Sequence, residues 1–231
     1  MTSHTKTNGS VAPLSQTHQP ATVSNPVRQH TTGRRLDYQL IENLVPAGAR
    51  VLDLGCGDGR LLAELAAHKN CSVRGIEIDR HAVLACTRRG VPVYHGDMLE
   101  GMDFFDSGAF DTVILSQTLQ QTADPVCVIR EMLRVGESAV ISFPNFGHWR
   151  VRLQLLLRGR MPQTPVLPYA WHDTPNVHLC TVRDFRLLCQ ELNLARVQEI
   201  FLAPSNRQIS HFAVNWRAGL AIFQVRAGIT T

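Results

Sequence analysis

Apolar residues in this chain follow two rhythms that take turns. Short, almost unbroken apolar runs alternate with stretches where Leu, Val and Ala recur at helical spacing. The first kind reads as buried strand and the second as amphipathic helix. In "RRLDYQLIENLVPAGA", Leu36, Leu40, Ile41 and Leu44 share one helical face, and Pro46 and Gly48 end it. From Arg50 the alternation is regular: strand "RVLDLG", helix "RLLAELAAHK" with Leu61, Leu62 and Leu65 on one side, strand "SVRGIEID", helix "RHAVLACTRRG", strand "VPVYHGD". "FDTVILSQ" follows as a fourth strand, apolar enough to be a central one. A helix in "DPVCVIREMLRVG" and a fifth strand in "SAVISFP" come next.

Strand and helix alternating at this spacing imply right-handed crossovers and a mostly parallel sheet with helices on both faces. Past Pro144 the rhythm breaks. Residues 145–177 hold an Arg/Leu-rich helix and a Pro-rich aromatic loop, expected to form an insertion or lid. The pattern resumes with a helix in "TVRDFRLLCQELN" and two late strands near "RVQEIFLA" and "GLAIFQVRA". Residues 34–231 are therefore expected to be one α/β domain. Residues 1–33, rich in Ser, Thr, Pro, Gln and His, are expected to be a disordered tail, because they have too little apolar surface to offset their ordering entropy.

Composition narrows the classes. With 231 residues and 44% hydrophobic content, the chain suffices for one full-sized core. A net charge of +4 without a Lys/Arg stripe gives no case for nucleic acid. No apolar run approaches the roughly 18 residues of a membrane span, and the amino-terminal segment lacks the apolar core of a signal peptide. The six cysteines, at 56, 71, 86, 127, 180 and 189, form no C-x-x-C pair. That spacing suits neither a disulfide framework nor a metal site, and it points to reduced thiols in a cytoplasmic protein.

The candidate chemistry centres on "VLDLGCGDGR", where Gly55, Gly57 and Gly59 stand on alternate positions between a strand and a helix. Glycines so placed let the backbone turn sharply and let a ligand lie against it, at the strand ends where open α/β sheets bind ligands. A dinucleotide fingerprint needs its third glycine at position 60, which is Arg60, and the Gly-Lys-Ser/Thr of a P-loop is absent.

The spacing D-x-G-x-G-x-G resembles the first motif of class I S-adenosylmethionine-dependent methyltransferases. That resemblance implies a Rossmann-like fold with a seven-stranded, mostly parallel sheet and an antiparallel C-terminal strand. It also implies binding of S-adenosylmethionine or S-adenosylhomocysteine. Asp53 would then hold the methionine amino group, Glu77 in "GIEID" the ribose hydroxyls, and Asp97 in "HGDM" the adenine amino group. Ile78 and Met98 would flank the adenine, with Gly55, Cys56, Gly57, Gly59 and Ser116 completing the cofactor-binding set. Small-molecule members often place a His after the fourth strand; Gln121 in "LSQTLQQT" occupies that position here and cannot act as a base. The catalytic set is left open. His148, Trp149, Tyr169, Trp171, His172, Asp173 and His178 in the insertion are expected either to wall a pocket or to pack a lid.

A closer resemblance lies in "VILSQTLQ", "EMLRVG", "SFPNFGHWRVRLQLLLRGRMP" and "HDTPNVHLCTVRDF", which together with the glycine loop are similar to the MetW family of methionine biosynthesis proteins. It runs from about Arg35 to Phe201. It implies a partner, the homoserine O-acyltransferase MetX of the first committed step of methionine synthesis. Two readings follow: a cofactor-binding accessory or regulatory subunit of that enzyme, or a small-molecule methyltransferase. Arg150, Arg152, Arg158 and Arg160 among four leucines form either a solvated helix face or a rim for a protein partner.

Overall fold

The computed structural model describes residues 35–165 and 167–228, so the expected tail at 1–33 lies outside the described residues. Eight strands form one sheet: β1 (Arg50–Leu54), β2 (Ser72–Glu77), β3 (Val93–His95), β4 (Thr112–Ser116), β5 (Ala139–Pro144), β6 (Leu194–Leu202), β7 (Gln208–Ile209) and β8 (Leu220–Ala227). Their order is β3-β2-β1-β4-β5-β8-β6-β7. Strands β1 to β5 pair in parallel, while β8 runs antiparallel between β5 and β6. The expected seven strands are all present, and the two-residue β7 adds an eighth at the edge of β6.

The chain winds from β1 outward to β3, then returns across β1 to β4 and β5. The strand order therefore reverses between β1 and β4, and a crevice opens at their carboxyl ends. "VLDLGCGDGR" emerges at this point.

Helices cover both faces. On one side lie α1 (Leu36–Leu44), α2 (Arg60–Lys69) and α3 (Arg80–Arg88), burying Ile41, Leu62, Leu65 and Cys86 against Val51, Ile114 and Val140. On the other lie α4 (Met98–Asp103), α5 (Pro125–Val135) and α7 (Val182–Glu191), burying Met102, Ile129, Met132 and Phe185 against Leu52, Leu115 and Ile141. Alternate residues of β1 and β4 thus feed the two cores, as the period of a strand dictates. Helix α4, like the two-residue β7 and a four-residue helix before β8, is not announced by the apolar pattern. It is six residues long, too short for a periodic signal.

The insertion after β5 begins with α6 (Trp149–Arg158), and a short α8 (Val214–Arg217) precedes β8. Fully buried Asn145 fixes the base of the insertion. Its Nδ2 donates to Ala218 O at 2.8 Å, and its Oδ1 accepts from Gly147 N at 3.0 Å and Val182 N at 3.2 Å. Below it, Phe143, Phe185, Phe223 and Phe201 pack ring on ring, with centroids of Phe185 and Phe223 4.7 Å apart.

Candidate functional site

The glycine loop has a conformation that other residues adopt only under strain. Gly55, Gly57 and Gly59 have φ of 66°, 58° and 73°. Gly59 also leaves no room: a Cβ there would lie 2.8 Å from Cys86 Sγ on α3. The loop is braced from β2 and α3. Glu77 Oε2 accepts Gly57 N at 2.6 Å, Cys86 Sγ donates to Gly57 O at 3.0 Å, and Arg89 Nη1 donates to Asp58 O at 2.9 Å. Backbone amides of Gly55 and Cys56 both donate to Ile76 O.

Of the ten cofactor candidates, Asp53, Gly55, Cys56 and Ser116 line one pocket, and Gly57, Gly59, Glu77, Ile78, Asp97 and Met98 lie outside its lining. Asp53, at the end of β1, is buried, and with Gly55, Cys56 and Ser116 it lines a cleft open to solvent. Glu77 closes β2; its Oε1 accepts the amides of Ile78 and Asp79, both at 2.9 Å. Three of roughly four lone-pair positions of this carboxylate are thus used, leaving Oε2 one more donor to accept. Just beyond, Ile78 is 67% exposed. Asp97 is exposed and caps α4 through Oδ1 to Leu99 N at 2.8 Å, with half-buried Met98 next to it. The helix-capping acid after β2 is Asp79, which accepts from Ala82 N at 2.8 Å; Glu77 is free of that task.

Cys56 and Cys86 place their sulfurs 3.7 Å apart. The hydrogen bond with Cys86, together with burial, pushes the Cys56 thiol far above its ordinary value. It stays protonated and is no nucleophile.

Several residues at the pocket were not legible beforehand. Arg35 and Tyr38, from the start of α1, border it. Arg35 pairs with Asp37, and Gln117 Nε2 donates to Asp37 Oδ2 at 2.9 Å, which ties α1 to the end of β4. Gln117 has φ of 54°, a left-handed backbone at a non-glycine residue. Gln120 is buried; its Nε2 donates to Gln117 O at 2.8 Å, while Oε1 accepts no hydrogen bond from the described residues. A signal was available in Asp37, which with Glu42 is one of two acids among the buried positions of an amphipathic helix.

The insertion contributes Pro168, Tyr169 and Asn176 to the pocket wall. Of the seven polar and aromatic residues considered for it, only Tyr169 is among those lining this space. His148 caps α6, its Nδ1 accepting Arg150 N at 3.3 Å. His178 Nε2 lies 3.3 Å from Ala123 O, and Trp171 and His172 stack edge to face in a separate hollow. Among the described residues no histidine lines the pocket, whereas Gln117, Gln120 and Gln121 do. A glutamine amide donates and accepts hydrogen bonds but does not take a proton at neutral pH.

A family model described as "Methionine biosynthesis protein MetW" matches residues 35–225. A "Bifunctional methionine biosynthesis protein MetXA/MetW" from Rhodopirellula baltica is 38% identical over 175 residues, covering 72% of this chain and 28% of that protein. A "Ubiquinone biosynthesis O-methyltransferase" from Ralstonia nicotianae is 36% identical over 146 residues, 60% of each chain. The chain therefore spans under a third of the first relative's length and three-fifths of the second's. Among solved structures, a SAM-dependent methyltransferase from Archaeoglobus fulgidus matches with a TM-score of 0.60 at 14% identity, over 84% of this chain and 95% of that one. The [4+2]-cyclase SpnF matches with a TM-score of 0.59 at 17% identity, over 84% of this chain and 81% of that one. These likenesses establish the class I methyltransferase fold. The cyclase's name also illustrates that one fold carries more than one chemistry.

Proposed function

The chain belongs to the MetW family of methionine biosynthesis proteins, and from that premise we propose that it binds S-adenosylmethionine and serves homoserine O-acyltransferase as an accessory subunit. The observation that carries this reading is the Rhodopirellula relative, in which a MetW part and a MetX part share one polypeptide. Fusion holds two partners at an effective concentration that separate chains reach only by binding each other.

The crevice fits the cofactor. Asp53, Gly55, Cys56, Gly57, Gly59 and Ser116 would hold the methionine end. Glu77 Oε2 would accept a ribose hydroxyl, and Ile78, Asp97 and Met98 would receive the adenine. When bound, the cofactor supplies an electrophilic methyl group. The chain's own residues do little to use it: among the described residues that line the pocket there is no histidine, and the Cys56 thiol stays protonated. A pocket that recognises a methionine derivative without consuming it suits a sensor of pathway output.

A second reading, a small-molecule methyltransferase, draws on the likeness to ubiquinone biosynthesis O-methyltransferases. One assay separates the two. Mixing the purified chain with the acyltransferase is expected to give a complex with an altered acylation rate and no S-adenosylhomocysteine. Failure to associate, with unchanged acylation kinetics, removes the accessory reading; acceptor-dependent S-adenosylhomocysteine establishes the second.

A further inference from the structure

Helix α6 buries one of its ten residues, Val151. On the side away from Val151, Leu153, Leu156 and Leu157 form a stripe at helical spacing, with Leu156 80% and Leu157 73% exposed. Trp171, 74% exposed, and Met161 line a hollow beside Gln154 and Arg158 of the same helix. A helix this short is marginal alone in water and relies on packing of its apolar face. Here that face is turned outward. An exposed apolar patch of this kind, rimmed by charge, marks an interaction surface.

Charge selects the occupant. Arg150, Arg152, Arg158 and Arg160 flank the leucines, and no Asp or Glu occurs between Asn145 and His172. Arg152 is engaged by Gly147 O at 2.6 Å and by the Trp216 ring. Arg158 and Arg160 take part in none of the ion pairs among the described residues. A second copy of the chain docked here about a two-fold axis would set these arginines against each other. An acidic rim would be attracted instead.

We propose that the outward leucine face of α6 docks homoserine O-acyltransferase through an apolar recess on that enzyme rimmed by Asp and Glu. The proposal rests on the accessory reading above and names the surface that performs it. It also supplies a route between sites. The segment that follows α6 carries Pro168, Tyr169 and Asn176 into the cofactor pocket, and Val177 N and His178 N donate to Gln120 O at 2.8 and 3.0 Å. Docking on α6 and filling of the pocket act on one insertion.

The test measures binding of the full chain to immobilised acyltransferase for the parent, Leu156→Asp/Leu157→Asp and Arg158→Glu/Arg160→Glu, with thermal melting as a check of folding. The leucine pair is expected to weaken binding about 100-fold or more. The arginine pair is expected to weaken it about 10-fold and flatten its salt dependence. Melting temperatures should match the parent, since all four side chains are exposed. If the parent binds and the leucine pair binds equally well, the docking face is wrong and the accessory role stands. If the parent does not bind the acyltransferase, the accessory role itself falls. Self-association of the parent that the leucine pair abolishes, or capture by phosphatidylglycerol vesicles in place of the enzyme, overturns the acyltransferase as occupant.

Discussion

Glu77 Oε2 accepts the backbone N–H of Gly57 at 2.6 Å, joining the end of β2 to the middle of the glycine loop. One carboxylate thereby braces the loop from the end of the neighbouring strand. Replacing it with Gln keeps the volume but loses the charge and one acceptor oxygen. Glu77→Gln is expected to cost about 1.5–3 kcal/mol of stability, which lowers Tm on the order of 3–12 °C. Affinity for S-adenosylmethionine should fall about 10-fold or more, as a charge-assisted contact of that strength implies. Calorimetry and thermal melting on one sample check both; a variant with parental melting and parental affinity contradicts this role.

Gly59→Ala is expected to destabilise by about 1–3 kcal/mol, because Ala at a φ of 73° is strained and its Cβ meets Cys86 Sγ at 2.8 Å. Adding Cys86→Ala removes the clash but not the backbone strain. The double variant should therefore be more stable than additivity of the two single changes predicts. Denaturant unfolding of all four proteins reads the coupling, and strict additivity excludes the clash.

The fold was legible because strand and helix alternate in the apolar pattern with little interruption from Arg50 to Pro144. The glycine loop was legible because its residues are adjacent in sequence, and Glu77 and Asp97 because each closes or follows a readable strand. The pocket's other wall was not. Gln117, Gln120 and Arg35 reach it through a left-handed turn after β4 and the first residue before α1, and neither leaves a periodic trace. The histidines of the insertion were left open between pocket wall and lid for a related reason: aromatic and polar residues look alike in sequence whether they wall a cavity or cap a helix, as His148 does.

His148 predicts a pH dependence of stability. Burial, reinforced by Arg150, lowers its pKa below the ordinary value. The unfolded chain therefore takes up the proton at a higher pH than the folded one, and stability falls as pH drops below about 6.5. Protonation also removes the acceptor that caps α6. His148→Asn keeps a capping side chain without titrating. Its stability relative to the parent should rise on going from pH 8 to pH 5. A difference that stays constant across that range contradicts a buried neutral imidazole.

Asn145→Ala removes the side chain that satisfies Gly147 N, Val182 N and Ala218 O at the base of the insertion. Stranding these buried groups is expected to cost about 2–4 kcal/mol, within the range for unsatisfied backbone partners. Hydrogen exchange should rise in the insertion and at the start of α7 before it rises in the sheet. Uniform acceleration over the whole domain would contradict a local tie.

The central claim is that one chain reads S-adenosylmethionine and reports to the acyltransferase. Calorimetric titration of S-adenosylmethionine into the chain alone, then into the chain saturated with acyltransferase, tests it most directly, because coupling between two binding sites is reciprocal. The account predicts binding in both titrations, with affinities that differ by about 5-fold or more, and no S-adenosylhomocysteine afterwards. Equal affinities with and without the enzyme, or no binding of the cofactor at all, would contradict it.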